Sequence, residues 1–298
     1  MIESEAMPAA SAPAAGSPRA TAVGAPEHEV VIRPTPGWRA VNWAEMYEFR
    51  ELLANLIWRD VAARYKQSVL GPAWAILQPT IMALIFTAVA IILKVPMPEG
   101  IPAPVFIFAA LIPWTMFAQG MPAAAGSLVN SINMVTKVYF PRLFLPFAAA
   151  AIYLVDGILA LPVYGLLLAY YGIAPHWTIV FLPVFYLLTV LAALAIGVVL
   201  AALTVFFRDF KHVVPFVVQI MFYITPVFWS IGSIESREIQ LIMSVNPMFG
   251  IADGFRSAVL GLPMQWDCLL ISTASTAVLF LIAIHYFRRT ERLFADYV

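Results

Sequence analysis

The sequence predicts an all-α integral membrane protein with six transmembrane helices, preceded by an amphipathic helix that lies along the membrane surface. Three observations carry this prediction. Of 298 residues, 62% are hydrophobic and 11% charged, whereas soluble domains average about 45–50% and about 25%. The surface of a globule of this size needs more polar cover than that. The charges are also unevenly placed, with 15 of the 34 falling in the first 66 positions. Finally, residues 67–93, 100–136, 157–207, 212–234 and 268–287 contain no Asp, Glu, Lys or Arg, and a bilayer core of about 30 Å takes roughly 20 helical residues.

Residues 1–36 are rich in Ala, Pro, Ser and Gly and lack the charged-then-apolar layout of a signal peptide. Residues 1–40 are therefore expected to be a disordered cytosolic tail, with Arg33-Pro34-Thr35-Pro36 as a stiff spacer. An interface helix follows over 41–71. Asn42 and Glu45 have capping-box spacing, with Asn in place of the usual Ser or Thr. Met46, Phe49, Leu53, Leu56, Ile57 and Val61 recur at helical intervals, while Glu45, Glu48, Glu51, Asn55 and Arg59 carry the polar side. A helix this charged lies on a bilayer rather than across it, and Gly71-Pro72 punctuates its end.

Residues 72–298 are expected to form one transmembrane domain. The 51-residue charge-free run is too long for one crossing, and Tyr171-Gly172-Ile173-Ala174-Pro175-His176 supplies its turn. The spans are expected near 74–94, 105–126, 144–171, 178–206, 212–231 and 268–287. With both termini in the cytosol, 14 Lys and Arg fall on the cytosolic side and three (Lys94, Arg237, Arg256) on the other. Six spans give this positive-inside bias, and five or seven break it. The semi-apolar segment 232–267 has apolar runs too short to cross, so buried or re-entrant half-helices on the outer side are expected there.

Several kinds of chemistry are excluded. Net charge is zero and pI about 6.9, so no global field points to nucleic acid. Cys268 is the single cysteine, which excludes an internal disulfide and any Cys-rich metal site and reads as an apolar packing residue. Lys66, Lys94, Lys137 and Lys211 are the only lysines, and none follows a glycine, so the chain has no P-loop. His28, His176, His212 and His285 have no metal-ligand spacing, and no Gly-x-Ser-x-Gly elbow exists. No catalytic residue and no metal site are expected.

Two features stand out against this background. Asp156 is the one acid inside a predicted span, 14 residues past Arg142, or about 21 Å along a helix. It reads either as a polar contact in a translocation path or as an interhelical hydrogen bond that fixes packing. The loop from Ser127 to Arg142 has a short helix's length with apolar and polar faces, suited to docking on a soluble partner or to a plain interfacial turn.

The segment from Trp58 to Trp74, with Arg59-Asp60, Arg64-Tyr65, Ser68, Leu70-Gly71 and Trp74, resembles the R-D-x-x-x-R-Y-x-x-S-x-L-G-x-x-W signature of type-2 ABC exporter permeases, closest to the branch that moves polysaccharides, O-antigen or teichoic-acid polymers. Leu111-Ile112-Pro113-Trp114-Thr115-Met116-Phe117 resembles G-L-x-P-W-x-F, with Ala110 where glycine is commoner. Lys137-Val138-Tyr139-Phe140-Pro141-Arg142 is similar to the K-x-x-F-P-R loop, and Phe207-Arg208-Asp209-Phe210 to Y-R-D. Thr225-Pro226-Val227-Phe228 resembles S-P-V-x-Y with Thr for Ser. Asn246-Pro247-Met248 with Phe255-Arg256 resembles N-P-L…F-R, and Glu291-Arg292-Leu293-Phe294-Ala295-Asp296 resembles E-R-x-F-A-D. The likeness covers about residues 50–298 and leaves the tail without a counterpart.

The resemblance implies a permease in the bacterial inner membrane, two copies of which pair with two copies of a separate ABC ATPase subunit. ATP and Mg would be bound by that subunit, and this chain would carry no cofactor. It implies a coupling helix in the loop between spans two and three, with Asn130, Asn133, Lys137, Tyr139, Phe140, Pro141 and Arg142 at the ATPase contact. The outer segment would form gate helices, with Asn246, Pro247 and Arg256 at the gate. The cargo would be a lipid-linked glycan whose diphosphate meets Arg59, Arg64, Tyr65 and Lys66 on the interface helix, although these basic residues also read as ordinary positive-inside anchoring. Sugar rings pack on aromatic faces, which makes Trp74, Trp114, Phe117, Tyr223 and Trp229 path candidates together with Asp156. Aromatics in spans also simply face lipid. A drug or lipid exporter of the same type would share fold and partner. An ion-coupled carrier would need more intramembrane charges, and a membrane-embedded transferase would need convergent acids or histidines that the sequence lacks.

Overall fold

The computed structural model describes residues 43–66, 71–137 and 140–294. The expected tail over 1–40, the Asn42 cap, Gln67 to Leu70 of the signature, Tyr139 and the final four residues lie outside the described residues. Among the described residues all regular structure is helical: α1 (Trp43–Glu48), α2 (Arg50–Lys66), α3 (Gly71–Ile92), α4 (Ala103–Asn130), α5 (Ile132–Lys137), α6 (Phe144–Tyr170), α7 (Leu182–Phe206), α8 (Phe210–Ile224), α9 (Arg237–Met243), α10 (Pro247–Leu260) and α11 (Trp266–Thr290).

The chain is a multi-pass membrane protein. Five helical stretches are long and apolar enough to cross: Ala73–Ile92, Ala103–Asn130, Phe144–Tyr170, Trp177–Phe206 and Trp266–Thr290. A 3₁₀ turn over Trp177–Phe181 leads into α7 and completes the fourth. The fifth expected span, 212–231, differs. Its helix, α8, stops at Ile224 after 15 residues. The cause is Pro226, which biases the preceding residue away from helical backbone, and Thr225 is extended at φ −76°, ψ 132°.

The expected interface helix is two helices, α1 and α2, separated by a turn at Phe49, whose side chain packs into an apolar cluster of the bundle. Gly71-Pro72 does not close that element but opens α3, because proline's fixed φ and missing N–H suit a helix's first turn. Met46, Phe49, Leu53 and Ile57 are half-buried around a buried Leu56, whereas Glu48, Glu51, Asn55 and Arg59 are exposed. The helical period thus turns one stripe of α1 and α2 toward the bundle.

α4 is the centre. Buried residues make up 78% of its apolar window, against 28% for α3 and α11. The outer helices turn Leu84, Ile85, Ile91, Leu270, Leu281 and Ile282 outward, where lipid rather than water is the solvent. The apolar effect cannot join helices in lipid, so close van der Waals contact must. α4 meets α7 through small residues: a Cβ on Gly197 would lie 2.7 Å from Ala124 Cβ and 3.0 Å from the Met121 carbonyl oxygen.

The bundle has two distinct ends. At one, Leu56, Leu128, Phe140, Leu143, Val205, Phe287 and Phe294 form one buried cluster, gathering α2, the α4–α6 connection, the end of α7 and the end of α11. At the other lie the α3–α4 and α6–α7 connections with α9 and α10, joined by the His176 N–H bond to the Val259 carbonyl at 3.0 Å. α10 is built by local rules. The Asn246 side chain caps the Met248 N–H at 3.1 Å, Pro247 takes the first position, and Gly261 at φ 67° ends the helix in left-handed backbone.

Candidate functional site

The connection between α4 and α6 combines display with anchorage. α4 runs to Asn130, and α5 follows after one residue. Asn130 and Asn133 are exposed, and Lys137 closes α5. Phe140 and Pro141 are buried. Arg142 Nη1 donates to the Glu291 carbonyl at 2.5 Å, and Glu291 also accepts from Arg288 at 3.2 Å. Phe294 stacks edge-on against Phe287 at 5.3 Å and meets Phe206 at 5.8 Å. The Phe-Pro-Arg loop and the turn over Glu291–Leu293, with 149 positions separating Arg142 from Glu291, therefore form one unit. The bond that joins them has a charged donor, a stronger class than neutral ones.

The expected phosphate-binding residues divide. Arg59 is exposed and pairs with its neighbour Asp60 at 2.8 Å, and Lys66 is exposed. Arg64 and Tyr65 instead turn into the bundle toward Asp156. Arg64 Nη2 lies 2.8 Å from Asp156 Oδ2, and the Tyr65 hydroxyl donates to Oδ1. The guanidinium also stacks over the Tyr153 ring at 4.5 Å and reaches Gln119 at 3.4 Å, which in turn contacts Gln78 at 3.4 Å. Asp156 thus ties α2 to α6, and two amides extend the network to α4 and α3. Burial, and then the bond to the Asp156 carboxylate, hold the Tyr65 phenol above its ordinary value. The hydroxyl stays a donor at neutral pH.

The aromatic path candidates also separate. Trp114 and Phe117 are buried, 5.7 Å apart. Trp114 meets Phe222 at 5.2 Å, and Phe86 stacks with Phe228 at 5.6 Å, so these rings bind α3, α4 and α8 together. Trp74 and Tyr223 are exposed. Trp229 is half-buried, 6.0 Å from Phe249.

Asn246 and Arg256 hold α10 against the exit of α8. Asn246 Nδ2 donates to Thr225 Oγ1 at 3.0 Å. Arg256, 1% exposed, pairs with Asp253, donates to the Pro226 and Trp229 carbonyls at 3.1 and 3.3 Å, and covers the Phe106 ring at 3.8 Å. Pro247 is buried. From α11, Ser272 Oγ donates to the Ser244 carbonyl at 2.8 Å and accepts from the Gly250 N–H at 2.9 Å.

Among the described residues, no group of three or more His, Cys, Asp or Glu could hold a metal ion. Cys268 is buried beside Ile231 and Phe249. Sequence reasoning passed over Gln78, Gln119, Tyr153, Asp253 and Ser272. Searching the apolar runs for formal charge alone hides amides and hydroxyls, although Gln78 and Gln119 are visible as amides in charge-free segments. Asp253 stands three residues before Arg256, the spacing at which helical side chains meet.

The sequence also resembles known proteins. The chain is 33% identical over 215 residues to the O-antigen export system permease protein RfbA of Myxococcus xanthus, covering 72% of this chain and 82% of that one. It is 23% identical over 248 residues to the O-antigen export system permease protein RfbA of Klebsiella pneumoniae, covering 83% and 94%. The model of the family described as ABC-2 type transporter matches residues 51–260, a stretch that holds the signature helix, the coupled loop and the α8–α10 clamp, and the chain belongs to that family.

Proposed function

We propose that this chain is the permease subunit of an ATP-driven exporter that moves a lipid-linked, O-antigen-like polysaccharide from the cytosolic to the outer side of the bacterial inner membrane. The observation that carries the reading is the α4–α6 connection: a short helix displayed at one end of the bundle and fastened through Arg142 to the far end of the chain. Such a part suits transmitting a partner's movement. With no P-loop lysine, this chain takes its energy from a separate ATPase subunit that binds ATP and Mg. Asn130, Asn133 and Lys137 form the docking element, and Phe140, Pro141 and Arg142 anchor it to the bundle.

α8 is the fifth crossing in chain order and brings the total to six. Its 15 residues rise about 22 Å, and Thr225 to Trp229 carry the chain on to α9 and α10. Six crossings leave both termini on the cytosolic side, the side that holds 14 of the 17 basic residues. The residues after about 72 are then one transmembrane domain, and α1 and α2 form the inner-surface interface element. Two copies enclose the path, with exposed Trp74 and Tyr223 as its stacking surfaces and the buried rings behind them. Arg59 and Lys66 are the residues left exposed to meet the lipid diphosphate, Arg59 by exchanging its surface pair with Asp60, while Arg64, Tyr65 and Asp156 latch α2 to the bundle. α9 and α10, with Asn246, Pro247 and Arg256, form the outer gate.

The test is genetic and biochemical together. Removing the chain from its source cell should trap lipid-linked glycan on the inner face, and restoring it should return glycan to the surface with an ABC ATPase bound to the purified permease. Normal surface glycan without the chain, or a purified chain with no ATPase, would refute the reading.

A further inference from the structure

Two cavities of nearly equal size open at the end of the bundle assigned above to the outer side, and they differ in how many polar groups line them. One, about 570 Å³, lies between α7 and α11 and is lined by apolar side chains such as Phe181, Val184, Leu188 and Leu269. The other, about 560 Å³, is an open cavity bordered by three connections, 96–98, 230–235 and 262–265, and floored by α4 and α10. Its polar members include Ser230, Ser233, Glu235, Asp253, Ser257 and Gln265. Ligand sites typically occupy about 300–1,000 Å³ and combine apolar walls with a few placed polar groups. Met97, Pro98 and Leu262 supply such walls here.

Charge narrows the ligand class. Arg256 also lines the cavity, but its two Nη atoms are committed to Asp253 and to the Pro226 and Trp229 carbonyls, and its Nε is buried without a partner. Asp253 is only 7% exposed. Its Oδ1 is taken by Arg256, and its Oδ2 bonds to nothing among the described residues. The cavity thus offers carboxylate, amide and hydroxyl acceptors, with the one cation facing them already neutralised. An anion would meet two carboxylates. A neutral, hydroxyl-rich ring brings the donors that such acceptors need and apolar C–H faces for the walls.

We propose that this cavity is a carbohydrate-binding site that holds a neutral pyranose unit of the glycan on the outer side. The proposal rests on the function assigned above. Because the three bordering connections come from different parts of the chain, an occupied site links the α3–α4 turn to the α10 clamp and retains the emerging polymer against backsliding.

The test uses the full permease–ATPase complex in lipid nanodiscs and, as probe, the glycan released from its lipid by mild acid. Saturation-transfer NMR should detect binding. Ser233→Trp, which fills the mouth from an exposed position, and the pair Glu235→Ala with Gln265→Ala should each weaken it by at least about fivefold, the effect of losing one ordinary hydrogen bond. Unchanged thermal unfolding of these variants shows that the site alone was altered. Undiminished binding in the variants, or none to a complex that exports glycan in cells, overturns the site and leaves the exporter reading intact. A complex that exports no glycan overturns both.

Discussion

Asp156 decides how α2 sits on the bundle, because its two oxygens take Arg64 and Tyr65 separately. Removing one partner of a buried pair strands the other. Arg64 keeps 29% of its side chain exposed, so Arg64→Ala and Asp156→Ala should each cost about 1–3 kcal/mol, below the about 3–5 kcal/mol of a fully buried pair. The double variant should cost no more than the worse single one, as read by thermal unfolding in detergent. Additive losses would mean that the two residues act independently. Tyr65 adds a pH expectation. Its phenol is held above its ordinary value, so the bond's contribution is complete below about pH 10 and falls only as pH rises past that. The α2–α6 contact should therefore be constant between about pH 6 and 9, and a drop in thermal stability within that window would contradict the assignment.

Among elements, α10 shows how far local geometry is constrained by a neighbour. A Cβ on Gly250 would lie 2.6 Å from the Cys268 carbonyl oxygen and 2.8 Å from Leu269 Cα, both backbone atoms of α11 that cannot swing aside. Gly250→Ala should separate α10 from α11 and lower stability by about 1–3 kcal/mol, the range for overpacked cores. Gly254→Ala meets the Phe185 ring, a side chain, and should cost less. Thermal unfolding of the two variants gives the comparison, and equal losses would refute the backbone argument. The α5 connection yields a functional expectation. Arg142→Ala removes the tie to the Glu291 carbonyl, a bond of about 1.5–3 kcal/mol. Glycan export should fall by about tenfold or more while ATP hydrolysis by the assembled complex persists. Export and hydrolysis falling in parallel would place Arg142 in assembly rather than coupling.

At the scale of the whole molecule, much of the helix plan is legible in residue order, and the site is legible mainly as a list of parts. Apolar runs, Gly172 and the Asn246-Pro247 and Gly261 signals mark helices because those features act within a few residues. Periodicity likewise identified the inward stripe of α1 and α2. Within the expected span 212–231 the helix stops at Ile224, before Pro226, where backbone geometry outweighs hydropathy. No spacing rule pairs Arg64 with Asp156, Arg142 with Glu291, or Arg256 with Pro226, since each contact closes between distant segments only after the helices pack. What the sequence by itself determined is the membrane class, the helices and the absence of a P-loop, because composition and short-range sterics act along the chain. What only the tertiary structure decided is which charges are neutralised, which aromatics are buried and which three connections border a cavity with polar groups in its lining. Those outcomes depend on the distances between helices, and in lipid these are set by close packing and hydrogen bonds rather than by any local pattern.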